Sequence, residues 1–127
     1  MLDGIRRESA AAAPNEACGL LFGNEREITG WQVADNVAEN PERRFEIDSR
    51  ALFAALRAER AGGAKIAGYW HSHPSGDARP SVSDAAAAAP DNRLWLIVAG
   101  GEATLWRAGE GGVHGRFDSV AIDDVEG

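Results

Sequence analysis

An α/β fold, a mixed β-sheet flanked by helices, is what this sequence predicts, and three observations carry the prediction. Short apolar runs of strand length recur along the chain, at 17–22, 65–70 and 94–99, and runs of that length suit strands buried on both faces. Segments with helical spacing or helix-favouring alanines stand between them, around 50–61 and 81–89. The order helix, strands, helix, strand, helix, strands is that of a sheet with helices laid on it. With 127 residues there is material for one core and not two, so one domain over 1–127 is expected.

Residues 1–13 read as a helix, with Leu2 and Ile5 at helical spacing and Pro14 stopping it. Residues 17–22 form the first strand. Gly23-Asn24 turns the chain into an alternating strand over 27–33. Residues 36–41 are loop and 45–47 a short extended piece. Asp48 or Ser49 caps a helix over 50–61 whose apolar face carries Leu52, Phe53, Ala55 and Leu56, and Gly62-Gly63 ends it. The run 65–70 leads as a buried strand into His71. Pro74, Ser75-Gly76 and Pro80 mark a turn, after which a helix starts at Ser81 and is cut by Pro90. A strong strand over 94–99 turns at Gly100-Gly101 into an alternating strand over 103–107. Residues 109–112 form a flexible glycine stretch, 113–117 a last strand, and 118–127 a flexible acidic tail.

Composition narrows the function classes. The formal net charge of −7 disfavours a surface that tracks nucleic-acid phosphates. A single cysteine, Cys18, excludes an internal disulfide framework and fits a reducing compartment. Charges at Asp3, Arg6, Arg7 and Glu8 stand where a signal peptide needs an apolar core, and no apolar stretch approaches the roughly 20 residues of a membrane span. A cytoplasmic protein with neither membrane nor nucleic-acid partner is expected.

The chemistry concentrates between His71 and Asp84. Side chains two apart on a strand leave the same face, so His71 and His73 can converge on one point. Folding back the Pro74–Pro80 turn brings Asp84, one turn into the next helix, toward both imidazoles. Two nitrogens and one carboxylate oxygen suit zinc and leave its fourth position for water, the mark of a catalytic site. Ser81-x-x-Asp84 is also a helix-capping pattern; the two readings are compatible, because a cap fixes the helix start that aims Asp84. Glu16, at the mouth of the first strand, is either a solvated acid or the proton acceptor that water on such a zinc needs. Cys18 reads as core, and His114 as a surface residue of a late hairpin.

His71-x-His73, seven residues, Ser81, two residues and Asp84, with Glu16 opening Glu-x-Cys-Gly-Leu-Leu-x-Gly, resembles the JAMM (MPN+, Mov34-type) zinc metallopeptidases, and more narrowly their short bacterial members. The resemblance implies a cytidine-deaminase-like JAMM (MPN) domain that hydrolyses a peptide or isopeptide bond, usually the one after the carboxy-terminal glycine of a ubiquitin-like protein. By position it makes His71, His73 and Asp84 ligands of one Zn2+, Glu16 the general base, and Ser81 the group that helps polarise the scissile carbonyl. Larger relatives carry insertions that grip a second ubiquitin; here only Pro90-Asp91-Asn92-Arg93 links the helix to the next strand. A small sulfur carrier of the ThiS or MoaD kind, its Gly-Gly tail in a narrow groove, is therefore the expected partner. Two other classes compete. The stretch from His73 to Asp84 also resembles RadC-like proteins associated with DNA repair, against which the acidic balance and the Glu-x-Cys-Gly-Leu-Leu strand both speak. A non-catalytic scaffold would keep the fold and use its zinc face for docking only.

Overall fold

Six strands hydrogen-bond into one mixed sheet in the computed structural model, which describes residues 1–24 and 26–122. The elements in chain order are α1 (Leu2–Ala12), β1 (Cys18–Gly23), β2 (Ile28–Ala34), α2 (Ser49–Arg60), β3 (Ile66–Ser72), α3 (Val82–Ala87), β4 (Leu94–Ala99), β5 (Glu102–Val113) and β6 (Phe117–Val120). Across the sheet the order is β2-β1-β3-β4-β5-β6, and every neighbouring pair is antiparallel except β3 with β4. The parallel pair needs a crossover, and the chain supplies it through the Pro74–Pro80 loop and α3. The sequence expectation of a helix-flanked mixed sheet is met. No helix among the described residues is long and apolar enough to cross a membrane.

The pleat decides which helix covers which face. In β4 all six residues are buried; Leu94, Leu96 and Val98 join the cluster around α1, while Trp95 and Ile97 point the other way. On the first face Ile5 of α1 meets Leu21, Trp70 and Leu105. On the opposite face α2 covers Leu20 and Ile66 with Ala55, flanked by Leu52 and Leu56, and Ala85 and Ala88 of the α3 region lie against the cluster of Trp95, Trp106 and Phe117. Gly19 is dictated by close approach. A Cβ there would run into the Gln32 carbonyl and the Trp70 indole, whose Nε1–H donates to that carbonyl at 3.0 Å.

Four local expectations are corrected. Phe53 is 56% exposed, because α2 rests on the sheet through Leu52, Ala55 and Leu56, and Phe53 lies a further 100° round the helix. α3 ends at Ala87 and Ala88 is already extended; Ala89 precedes Pro90, whose ring disfavours helical backbone before it. Residues 109–112 are not a flexible break but part of β5, where Phe117 opposes both Ala108 and Val113 and the irregular register absorbs the extra residues. The last strand is therefore β6 at Phe117–Val120, and His114 with Gly115, both at positive φ, make the turn before it. The sheet thus takes up the first residues of the expected 118–127 tail, and 123–127 lie outside the described residues.

Candidate active site

β3 ends at Ser72, and His71 and His73 leave its carboxyl end on the side covered by α2 and α3. Both rings are buried, and their Nε2 atoms stand 3.0 Å apart. α3 supplies Asp84, with Oδ1 3.1 Å from His71 Nε2 and Oδ2 3.1 Å from His73 Nε2. The aim of Asp84 is set by a capping box: Ser81 Oγ accepts from the Asp84 N–H at 3.0 Å, and Asp84 Oδ2 accepts from the Ser81 N–H at 2.9 Å. The capping reading of these two residues holds, and the same cap turns Asp84 toward the imidazoles. Glu16 arrives just ahead of the amino end of β1, which lies beside the carboxyl end of β3. The Ala17 N–H donates to Ser72 Oγ at 2.8 Å and the Ser72 N–H to the Ala17 carbonyl at 3.0 Å, which carries the ladder one residue past the strand. Glu16, His71 and His73 each bring a ligand-capable atom within 4.8 Å of the others. Glu16, His71, His73 and Asp84 are all buried.

Around this cluster stand residues that the sequence pattern left unassigned. The Asp77 carbonyl lies 2.7 Å from His73 Nδ1, and since a carbonyl only accepts, Nδ1 donates to it and Nε2 is the ring nitrogen left facing the cluster. His71 is held by stacking instead: Phe45 lies 4.4 Å away at 26°, and the Trp95 edge 5.7 Å away. Asn36 fastens loop 36–47 to the mouth of β1. Its Nδ2 donates to the carbonyls of Glu16 at 2.9 Å, Arg44 at 3.1 Å and Pro41 at 3.4 Å, and its Oδ1 accepts from the N–H groups of Ala38 and Glu46, each at 3.1 Å. An asparagine just past a strand carries a weak sequence signal, and its partners, from two to twenty residues away, carry none.

The two carboxylates are in opposite states. Burial works against the charge of Asp84, but hydrogen bonds from His71, His73 and the Ser81 N–H outweigh it and hold the carboxyl below the usual carboxylate range. Burial pushes Glu16 up to about 7, against the pull of His73 and with a further push from Asp84. The His71 imidazole is lowered by burial despite Asp84. His73 is also desolvated, yet the Asp84 and Asp77 contacts raise it.

The residues present fit a metal ion. Donors about 2.0 Å from a tetrahedral cation lie about 3.3 Å from one another, and the histidine–histidine and histidine–aspartate separations are 3.0 and 3.1 Å. The Asp84 carboxylate oxygens stand 3.1 Å from both histidines, close enough to serve with them as a third donor. Glu16 Oε1 is buried without a hydrogen-bond partner among the described residues. Two clefts flank the cluster. One, of about 1010 Å³, runs between loop 36–47 and the alanines 86–89 and reaches Asp84 past Phe45 and Trp95. The other, of about 560 Å³, is lined by Glu16, His73 and Ser81 with Arg43 and Arg79 at its rim.

Cys18 is buried, and burial first, then Glu16 and Asp35, push its thiol up to about 12. His114 is exposed and stays away from the cluster, but its Nε2 lies 3.1 Å from the Pro80 carbonyl.

Residues 1–109 match the family described as prokaryotic homologs of the JAB domain. The chain is 32% identical over 99 residues to the desampylase of Haloferax volcanii, a match covering 76% of this chain and 71% of that one. It is 34% identical over 84 residues to a protein of Thermus thermophilus named probable TtuB-protein conjugate cleaving protease, covering 66% of this chain and 56% of the other. The fold matches that of a JAB1/MPN domain protein from Archaeoglobus fulgidus at a TM-score of 0.60 and 17% identity, over 98% of this chain and 92% of that one.

Proposed function

The chain belongs to the prokaryotic JAB (JAMM/MPN) family, and from that premise we propose that it is a zinc-dependent peptidase or isopeptidase that cuts the bond after the carboxy-terminal glycine of a ubiquitin-like or sulfur-carrier protein. The observation that carries the reading is the meeting of His71, His73 and Asp84 at 3.0 to 3.1 Å, with the unpartnered Glu16 carboxyl on the same side. His71, His73 and Asp84 would hold the ion. Bound zinc would act as a Lewis acid and bring the pKa of water toward about 7. Glu16 takes a proton from the attacking water as its oxygen bonds to the scissile carbon, and hands that proton to the amine nitrogen as the carbon–nitrogen bond breaks. Its raised pKa, about 7, suits a group that must both accept and release a proton near neutrality. The Ser81 Oγ accepts from its own helix, so its O–H remains to donate to the carbonyl oxygen as negative charge develops there.

Substrate class rests on two supports. The relatives named as a desampylase and as a conjugate cleaving protease act, by those names, on protein conjugates. Alanines 86–89 line the larger cleft, small side chains that would suit an extended backbone of small residues, and the short 90–93 connection leaves no module there to grip a second folded partner. A carrier of the ThiS or MoaD kind with a Gly-Gly tail fits both.

The test is to incubate the protein with ThiS- and MoaD-type carriers bearing a peptide extension after Gly-Gly and to read the products by mass spectrometry. Cleavage after the second glycine, abolished by chelation, restored by zinc and lost in Glu16→Gln, is expected. No cleavage of any carrier, or cleavage indifferent to chelator and to Glu16→Gln, overturns the proposal. Tight, salt-sensitive DNA binding would redirect it to the RadC-like class; stoichiometric zinc with no turnover, to the scaffold.

A further inference from the structure

The Pro74–Pro80 loop connects the two histidines to Ser81 and Asp84, and it has no regular secondary structure of its own. What holds it is the capture of its carbonyls by side chains. Asp77 offers its carbonyl to His73 Nδ1 at 2.7 Å. The next carbonyl, that of Ala78, accepts from Thr104 Oγ1 at 2.6 Å, and Thr104 Oγ1 in turn accepts from Trp106 Nε1 at 2.9 Å. Ala78 itself is buried.

Thr104 stands at a telling place in the sheet. In register, His71 pairs with Ile97 and Ile97 with Thr104, so the three form one row across β3, β4 and β5. That row is a rigid ruler. One end sets where the imidazole of His71 sits, and the other sets where the loop must return. Ala78 is three residues before Ser81 and six before Asp84. The Thr104 hydroxyl thus fixes, from a strand that holds no site residue, the point from which the capping helix starts. On a face otherwise filled by Trp95, Ile97 and Trp106, valine would pack as well and suit a strand as well. The hydroxyl is what valine lacks, and both of its hydrogen bonds lead to the loop or to the side chain that orients it.

We propose that Thr104 is a positioning residue of the metal site, holding the Ala78 peptide so that Asp84 and Ser81 meet His71 and His73 in register. The inference rests on the zinc reading above. Removing such an outer support costs about 10- to 100-fold in metal affinity or activity in known metal sites. Zinc affinity is measured by competition with a chromophoric chelator, with no substrate present, for wild type, Thr104→Val, Thr104→Ser and Thr104→Ala. Thr104→Val should bind zinc at least tenfold more weakly. Serine and alanine both lack the threonine methyl and differ only by the hydroxyl, so their comparison answers the question even if the valine protein does not fold. Thr104→Ser should stay within about threefold of wild type, and Thr104→Ala should fall with the valine variant. Equal affinity of the serine and alanine proteins overturns the inference, since a role in packing alone would not separate them. Failure of the wild type to bind zinc overturns the parent reading instead.

Discussion

Replacing Glu16 by glutamine should make the zinc-free protein more stable at neutral pH while abolishing its activity. Glu16 is 4% exposed, and burial raises its pKa from 4.5 to about 7. A carboxyl that holds its proton more tightly folded than unfolded contributes stability below the unfolded value, and that contribution is lost as pH rises through the folded one. Between pH 4.5 and 7 the loss amounts to about 2.5 pKa units at 1.36 kcal/mol each, or on the order of 3 kcal/mol. Glutamine has the same shape and never ionises. Its Oε1 counterpart gives up no hydrogen bond, since Glu16 Oε1 has none among the described residues. Urea unfolding of wild type and Glu16→Gln, with chelator present, measures the difference at each pH. The two proteins should unfold together near pH 4.5 and separate in favour of glutamine by pH 8. Comparing the pair at each pH cancels His71, which draws no shift from Glu16, whereas the mutual pull of His73 and Glu16 is part of the difference measured. Curves that stay parallel across the range, or a wild type that is the more stable one at pH 8, would refute the placement of Glu16 as a buried acid held for catalysis.

The remaining expectations concern Ser81, Asn36 and Cys18. Ser81→Gly costs the helix cap only a few tenths of a kcal/mol yet removes the hydroxyl, so turnover should fall on the order of a hundredfold with the melting temperature nearly unchanged; undiminished turnover removes the hydroxyl from the reaction. Asn36→Ala strips five hydrogen bonds from loop 36–47 and should cost about 2–4 kcal/mol in denaturant unfolding, with a matching loss of cleavage because Glu16 and Phe45 both hang from that loop. Cys18, with its thiol pushed up to about 12, should react with a thiol reagent at pH 8 only as fast as the protein unfolds, and rapid labelling of the native protein would contradict its burial.

What was legible in the sequence was whatever local spacing determines. The alternation of His71 and His73 on a strand, the cap at Ser81 and Asp84, and the apolar runs of β1, β3 and β4 are all written within a few residues of themselves. The boundaries that went astray were set by neighbours. Phe53 looks like a core residue until the contact face of α2 is known, and the glycines at 109–112 look like a break until β6 shows that the sheet can absorb them. The supports of the site were hidden for the same reason at longer range. Asn36 reaches Glu16, Phe45 reaches His71, and Thr104 reaches Ala78; each contact joins segments whose adjacency only the folded sheet creates.

The two halves of this site come from different connections. His71, His73 and Asp84 belong to the crossover that a parallel β3–β4 pair obliges the chain to make, whereas Glu16 comes from the lead-in to an antiparallel hairpin on the far side of β3. On the proposed reading, grip on the cation and the hydrolytic step therefore come from separate parts of the chain. Were the proposed reading right, a protein that lost only the acid would keep the pocket, the cap and the loop and be left as a receptor for the same tail; one exchange of oxygen for nitrogen in a single side chain would be the whole distance between cutting a conjugate and merely reading it.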